Sequence, residues 1–168
     1  MSFPCSVCGE LHEERPAIAF SAPHYYHILS EEDKASLAIL SEDFCIIEHG
    51  DQTDRFIRAV LNIPVKDSES NMEYGVWVSL SERNFEHYMD HFNDDLEGET
   101  FFGYLCNAIP GYENTLLLMT NVVCCPADKR PQVYPHESQS DNTFIKDYIE
   151  GISIQEADRR THLVLDKM

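Results

Sequence analysis

Basic residues are scarce in this chain of 168: 12 lysines and arginines stand against 30 aspartates and glutamates, a formal net charge of −18. A field of that sign repels phosphate backbones and anionic lipid headgroups, which excludes a duplex-groove binder and a polybasic membrane protein. Glycine is scarce too. There are seven, and no two are separated by a single residue, so glycine-rich loops that cradle nucleotide phosphates are missing. No apolar run approaches the ~18 residues of a spanning helix, and the opening Met-Ser-Phe-Pro-Cys lacks the basic stretch and apolar segment of a secretory leader. The expectation is a cytoplasmic protein. Fixed-period repeats, low-complexity tracts and long Gly/Ser linkers are also lacking, which leaves a single domain over residues 1–168. The hydrophobic fraction of 43% is ordinary, and at this length folding buries roughly 70% of the unfolded chain's surface. A chain with such a core needs no covalent staples. Its six cysteines (Cys5, Cys8, Cys45, Cys106, Cys124 and Cys125) therefore read as thiols, some of them metal-bound.

Local signals place the elements. Ser30 followed by Glu31, Glu32 and Asp33 opens a helix over 30–40, because a serine cap and early carboxylates complement its amino end. Residues 44–48 and 55–63 read as a hairpin around His49-Gly50-Asp51, and 74–80 as a third strand. Ser81 and Glu82 start a second helix over 81–93, with Phe85, Tyr88, Met89 and Phe92 at helical spacing. The apolar stretch 101–109 ends at Pro110-Gly111. Residues 115–125 form the longest apolar run and are expected as a central strand, with 132–134 as a short edge strand. A helix over 142–150 stops at Gly151, and the tail from Ile154 is expected to be helical. Sequential strands with helices between them, and no β-α-β alternation, give an α+β domain. Its mainly antiparallel sheet has five or six strands, packed helices, and a knuckle-like segment 1–15 docked on the body 16–168. Val76, Trp77, Val78, Phe85, Leu116 and Leu118 are the expected core.

The sharpest local motif is Pro4-Cys5-Ser6-Val7-Cys8-Gly9. Two residues between cysteines let both thiolates face one tetrahedral ion, and the glycine permits the turn whose N–H groups bond the sulfurs. A second such pair is missing. Closure takes two more ligands: His12, near in sequence, and Cys45, on a strand edge of similar polarity. A thioredoxin-type redox pair would follow a strand and open a helix, whereas this motif begins the chain. The expected cofactor is one structural Zn²⁺ at Cys5, Cys8, His12 and Cys45.

These residues and others form a pattern across the chain: Pro23 with Tyr25-Tyr26, Phe56-Ile57-Arg58, Ile63-Pro64-Val65, Gly75-Val76-Trp77-Val78-Ser79-Leu80-Ser81-Glu82, Phe102-Gly103, Pro110-Gly111-Tyr112, Thr115-Leu116 and Arg130-Pro131. The pattern resembles the bacterial "domain of unknown function 2199" family over nearly the whole chain, most specifically in Gly-Val-Trp-Val-Ser-Leu-Ser. The resemblance implies a compact bacterial domain with recurrent Cys and His positions, and no activity. This chain departs from the pattern at Tyr104, in place of Trp, and at Cys106, in place of a small polar residue. Asn142-Thr143-Phe144 stand in place of His-Pro-Leu.

Catalytic constellations are missing: there is no Gly-x-Ser-x-Gly, no cysteine in a strand-to-helix turn, and no lysine outside polar surroundings. His87 and His91 lie one helical turn apart but lack the glutamate of a metalloprotease motif, and an acidic helix surface accounts for them. Arg58, Trp77, Tyr104, Tyr112 and Arg130 are the groups with which a ligand pocket or small enzyme site could be lined. Acid is concentrated. Residues 31–54 hold eight carboxylates and one lysine, and 82–99 hold seven and one arginine, half of all the acid in two segments. Glu86, Asp90 and Asp94 recur every four residues and so line one stripe, suited to steering a basic protein partner. Two functions follow: a non-catalytic, zinc-stabilised, acidic binding protein, immunity-like toward a basic partner, or a small cytoplasmic enzyme or ligand-binding domain using the aromatic and arginine pocket. Solubility alone also accounts for the acid.

The metal is checked by elemental analysis of protein purified without a histidine tag. About one zinc per chain, lost in Cys5→Ser, is expected; less than ~0.2 per chain, unaffected by that change, removes the ion.

Overall fold

The computed structural model describes residues 3–4, 11–12, 18–68, 70–92, 94, 96–126 and 129–165, the backbone alone at 3–4, 11–12 and 164–165. In chain order the strands are β1 Phe3–Pro4, β2 Leu11–His12, β3 Ile18–Ala19, β4 Ala38–Leu40, β5 Phe44–Glu48, β6 Thr53–Ile63, β7 Met72–Ser79, β8 Thr100–Leu105, β9 Met119–Val123 and β10 Gln132–Pro135. The helices are α1 His24–His27, α2 Glu31–Leu37, α3 Glu82–Asp90, α4 Thr143–Glu150 and α5 Ile154–Leu165. β1 and β2 pair with each other, and the other eight strands form one sheet in the order β3-β7-β8-β9-β10-β6-β5-β4. β6 also pairs with β7, so β6, β7, β8, β9 and β10 close into a five-stranded barrel. The sheet is mainly antiparallel, as expected, with parallel pairs only at β3–β7 and β10–β6.

Alternation of side chains assigns two faces to the long strands. On β6 and β7 one face turns Ile57, Ala59, Leu61, Val76 and Val78 into the barrel, all fully buried. Two helices plug it. α3, capped by the Ser81 hydroxyl accepting from Asn84 N–H, sends Phe85 and Tyr88 into the same cluster, where Tyr88 meets Phe101. α4, capped by the Asn142 side chain accepting from the Phe144 and Ile145 N–H groups, adds Phe144, edge-on to Tyr74. α5 is held by Arg160, which stacks 4.0 Å over the Tyr112 ring and bonds Glu156 at 2.6 Å.

Several expectations need correction. The sheet has eight strands among the described residues, because β3 and β4 are short additions at its two ends, β3 on the distant β7 and β4 on β5, which follows it directly. The first helix ends at Leu37, and Ala38–Leu40 turns into a strand against Cys45–Ile47. Residues 132–135 are no edge: β10 bonds β9 on one side and β6 on the other, closing the barrel. The apolar run at 115–125 is strand only over Met119–Val123. Its start is a buried turn in which Thr115 Oγ1 accepts from Ile109 N–H and donates to the Asn107 carbonyl, both at 2.9 Å. Leu116 is accordingly half-buried, while the other five expected core residues are buried.

Gly103 faces the barrel interior where β8 crosses β7. A Cβ there would lie 2.7 Å from the Ser79 carbonyl oxygen, a backbone atom that cannot swing aside. Gly103→Ala should cost about 2–4 kcal/mol in urea unfolding, the range of severe overpacking, without changing the slope.

Candidate functional site

A second, smaller core lies on the outer face of β6 and β7. Trp77 is fully buried there with Cys45, Ile47, Phe56 and Cys106, and Phe20, Tyr25, Tyr26, Leu29 and Ala38 cover them. Its indole N–H donates to the Phe20 carbonyl at 2.9 Å, the partner a buried Trp needs. Where β7 passes from β3 to β8 as its neighbour, Asn107 fills the gap: its Oδ1 accepts from Trp77 N–H at 2.7 Å and its Nδ2 donates to the Ala22 carbonyl at 3.1 Å. Sequence reasoning missed Asn107, since an amide in an apolar stretch gives no sign of which backbone it will serve.

Of the five expected pocket residues, the structure brings three into one neighbourhood. The Arg58 guanidinium sits 5.9 Å from the Trp77 ring centre and donates to the Glu42 carbonyl at 3.4 Å, and Arg130 pairs with Asp43 at 3.1 Å. Burial, then the charge of Arg130, lowers the Arg58 pKa, opposed by Asp43 and Glu42. Arg58 Nε is buried without a hydrogen-bond partner. Beside them a cavity of about 630 Å³ is lined by Asp43, Asn62, Glu73, Lys129 and Arg130. Tyr104 and Tyr112 belong elsewhere. Tyr104 is 42% exposed on the outer face of β8, edge-on to Phe102, and Tyr112 bonds Asp147 at 2.5 Å while stacking under Arg160.

A cleft that sequence reasoning did not assemble opens next to the Trp77 cluster. Its floor is the outward-facing Asp54, Phe56, Ser79 and Cys106, with Tyr25 and Leu117 at its walls, and its volume is about 380 Å³. Asp54 accepts from Gln52 Nε2 at 2.7 Å and lies 3.0 Å from His49 Nε2. Leu117 is 54% exposed and takes φ of +65°, a conformation costing a bulky L-residue on the order of 1–3 kcal/mol. Burial, with added repulsion from Cys106 and Asp54, raises the Tyr25 pKa. Burial likewise pushes the Cys106 thiol up to about 12, and its Sγ–H donates to the Tyr104 carbonyl at 3.2 Å.

Glu86 and Asp90 of the expected acidic stripe lie on α3, but the helix, expected to reach residue 93, ends at Asp90, so Asp94 stands beyond it. Glu86, Asp90 and Asp94 are all exposed, while Phe85 and Tyr88 on the opposite side are buried. Glu82, Glu86 and Asp90, with Arg83, Asn84 and His87 between them, line an open groove of about 590 Å³ along the helix. The first acidic segment meets α3 through Phe44 against Phe85 and through Arg55, 3.6 Å from Glu82. His87 turns to Glu99 at 3.0 Å, with the His91 ring centre 4.6 Å away.

Cys5, Cys8 and the His12 side chain lie outside the described residues. Cys45 is buried in the Trp77 cluster, and burial pushes its thiol up to about 12. Among the described residues no three His, Cys, Asp or Glu side chains gather as a metal site, and no helix is long and apolar enough to cross a membrane.

A thiol with a raised pKa holds almost no thiolate at neutral pH, and the thiolate is the nucleophile. Cys106 should therefore react with a maleimide at pH 7.5 at least ~100-fold more slowly in the folded protein than in urea, read by peptide mass mapping.

Neither a curated protein nor a solved structure matches the chain. A family model does match, over residues 4–152, most of the chain. The chain belongs to the family described as an uncharacterised protein conserved in bacteria (DUF2199).

Proposed function

We propose that this protein is a non-catalytic binder of a basic protein surface, immunity-like in its chemistry, working in the cytoplasm and stabilised by one structural zinc. The observation that carries the reading is the exposed carboxylate stripe of α3, whose Glu82, Glu86 and Asp90 line an open groove while Asp94 stands beyond the helix end. Like charges at that spacing cost a helix about 0.2–0.5 kcal/mol per pair, so the stripe is an expense that partner steering explains. The net charge of −18 adds a long-range field of the same sign. For the zinc, support comes from the antiparallel pairing of β1 and β2, which sets Phe3 opposite His12 and makes Cys5 and Cys8 part of the connection between the two strands. A metal held by four protein ligands supplies folding energy rather than an activated water.

A second reading, a small-ligand or enzyme site, is favoured by one observation: Arg58 Nε is buried and unpartnered beside Arg130, as a site for an anionic ligand requires.

Capture of host proteins on the immobilised chain separates the two. A basic partner should be retained at about 50 mM salt and released by about 500 mM, as the screening length falls from roughly 14 to 4 Å. The triple change Glu86→Gln, Asp90→Asn, Asp94→Asn should weaken retention about tenfold. Retention that ignores both salt and these changes overturns the reading.

A further inference from the structure

We propose that the cleft between Tyr25, Asp54 and Leu117 is a guanidinium pocket, the place where an arginine side chain of the basic partner is anchored. The inference deepens the reading of the chain as a binder of basic proteins by assigning the atoms that do the holding.

Asp54 is the reason for the charge. It stands on the outer face of β6, with Phe56 two residues on, and its side chain is 27% exposed. Gln52 uses one lone pair of Oδ1 and His49 faces Oδ2, so each oxygen keeps a second acceptor site, the pair that a guanidinium fork engages. The cleft's own cation does not neutralise it. Arg55 also lines the cleft, but its guanidinium is turned to Glu82 at 3.6 Å and to the Thr53 carbonyl at 3.4 Å.

The walls suit the flat, weakly hydrated part of the same side chain. Tyr25 and Phe56 lie nearly parallel, 17° between their planes and 6.2 Å between centres, and both line the cleft. Aromatic rings attract guanidinium groups, and arginine anchors in such pockets are a recurring source of binding energy at interfaces. Ser79 and the protonated Cys106, both uncharged, complete the floor. The raised Tyr25 pKa agrees with a site that disfavours added anions.

Position links the cleft to the rest of the binding surface. Leu80, at one end of it, leads directly into Ser81 and α3, so the pocket lies at the head of the acidic stripe. Next to Leu80, Ser79 on the floor pairs with Tyr104, whose exposed ring continues into Phe102 at 5.1 Å. A partner loop carrying one arginine into the cleft would cover an apolar ridge on one side and meet carboxylates on the other. Leu117, held in its left-handed conformation at the rim, is shaped as the lip of that pocket.

The test uses N-acetyl-arginine amide and its uncharged isostere N-acetyl-citrulline amide, titrated into the full chain and followed by amide NMR shifts. Saturable shifts should cluster at Asp54, Phe56, Ser79, Cys106 and Leu117, and citrulline should bind at least tenfold more weakly. Asp54→Asn, which keeps the shape and the Gln52 bond, should weaken arginine by a similar factor. No clustered shift at 20 mM arginine probe, on the order of the weakest pocket affinity worth the name, overturns the proposal. So does equal binding of citrulline, a comparison that needs no variant. If the probe fails while partner capture stays salt-dependent, the pocket falls and the binding function stands; if the probe binds while capture ignores salt, the pocket stands and the function falls.

Discussion

The barrel closes where the Val60 N–H reaches the Pro131 carbonyl at 2.9 Å, and the direction of that seam follows from the number of strands. Five strands laid alternately up and down leave the first and last running the same way, so β6 and β10 can only meet in parallel. β6 has eleven residues because it serves two partners on that edge. Its first half bonds β5, and the handover comes one alternation before the seam, at Arg58 N–H to the Asp43 carbonyl, 3.0 Å. The ion pair of Arg130 with Asp43 ties the starts of β10 and β5 together at that junction. This is why Arg58 and Arg130 are neighbours: both flank the place where two strands share one edge. β7 repeats the arrangement on its far edge with β3 and β8, and there Asn107 supplies the missing partner. The outer core around Trp77 covers the face between these two junctions.

What was legible in the sequence was what one segment decides by itself. Ser30 and Ser81 cap helices because a short polar side chain followed by a helical pattern has few alternatives, and their hydroxyls accept from Asp33 and Asn84 N–H; the helix over 142–150 was also expected, and Asn142 turns out to cap it. The hairpin of β5 and β6 and the core positions of Val76, Trp77 and Val78 followed from strand composition. What was illegible depended on a partner outside the segment itself. Ala38–Leu40 continues a helical pattern and becomes a strand only because Cys45–Ile47 is beside it. Residues 132–135 look like an edge until the barrel closes on them. In the stretch 115–118, apolarity says buried but not extended, and the turn is set by the Thr115 hydroxyl between two backbone groups.

The same division holds for the candidate sites. Glu86 and Asp90 were readable because helical spacing puts them on one face, whereas Asp94 lies past the end of α3, where that spacing no longer applies. Tyr25, Asp54, Ser79, Cys106 and Leu117 gave no joint signal, since four separate elements and the curvature of the barrel bring them to one cleft. Cys106 was nonetheless marked by its departure from the family pattern, where a small polar residue is usual. A thiol protonated by burial is the closest apolar stand-in for such a residue.

The distribution of positive charge strengthens the electrostatic argument beyond the bare total. Several of the few cations are spent on internal joints: Arg130 on Asp43 at the strand junction, Arg55 on Glu82 at the start of α3, Arg160 on Glu156 and Tyr112 under α5. Exposed pairs of this kind contribute about 0–1 kcal/mol each, so their main effect is to place a cation rather than to stabilise the fold. None of these pairs takes Glu86 or Asp90, although Arg55 draws on Glu82 and Arg83 stands in the same groove. A uniformly acidic coat would repel copies of the chain equally in every direction, whereas carboxylates left on one face would give the field an orientation, which a docking surface uses and solubility does not require.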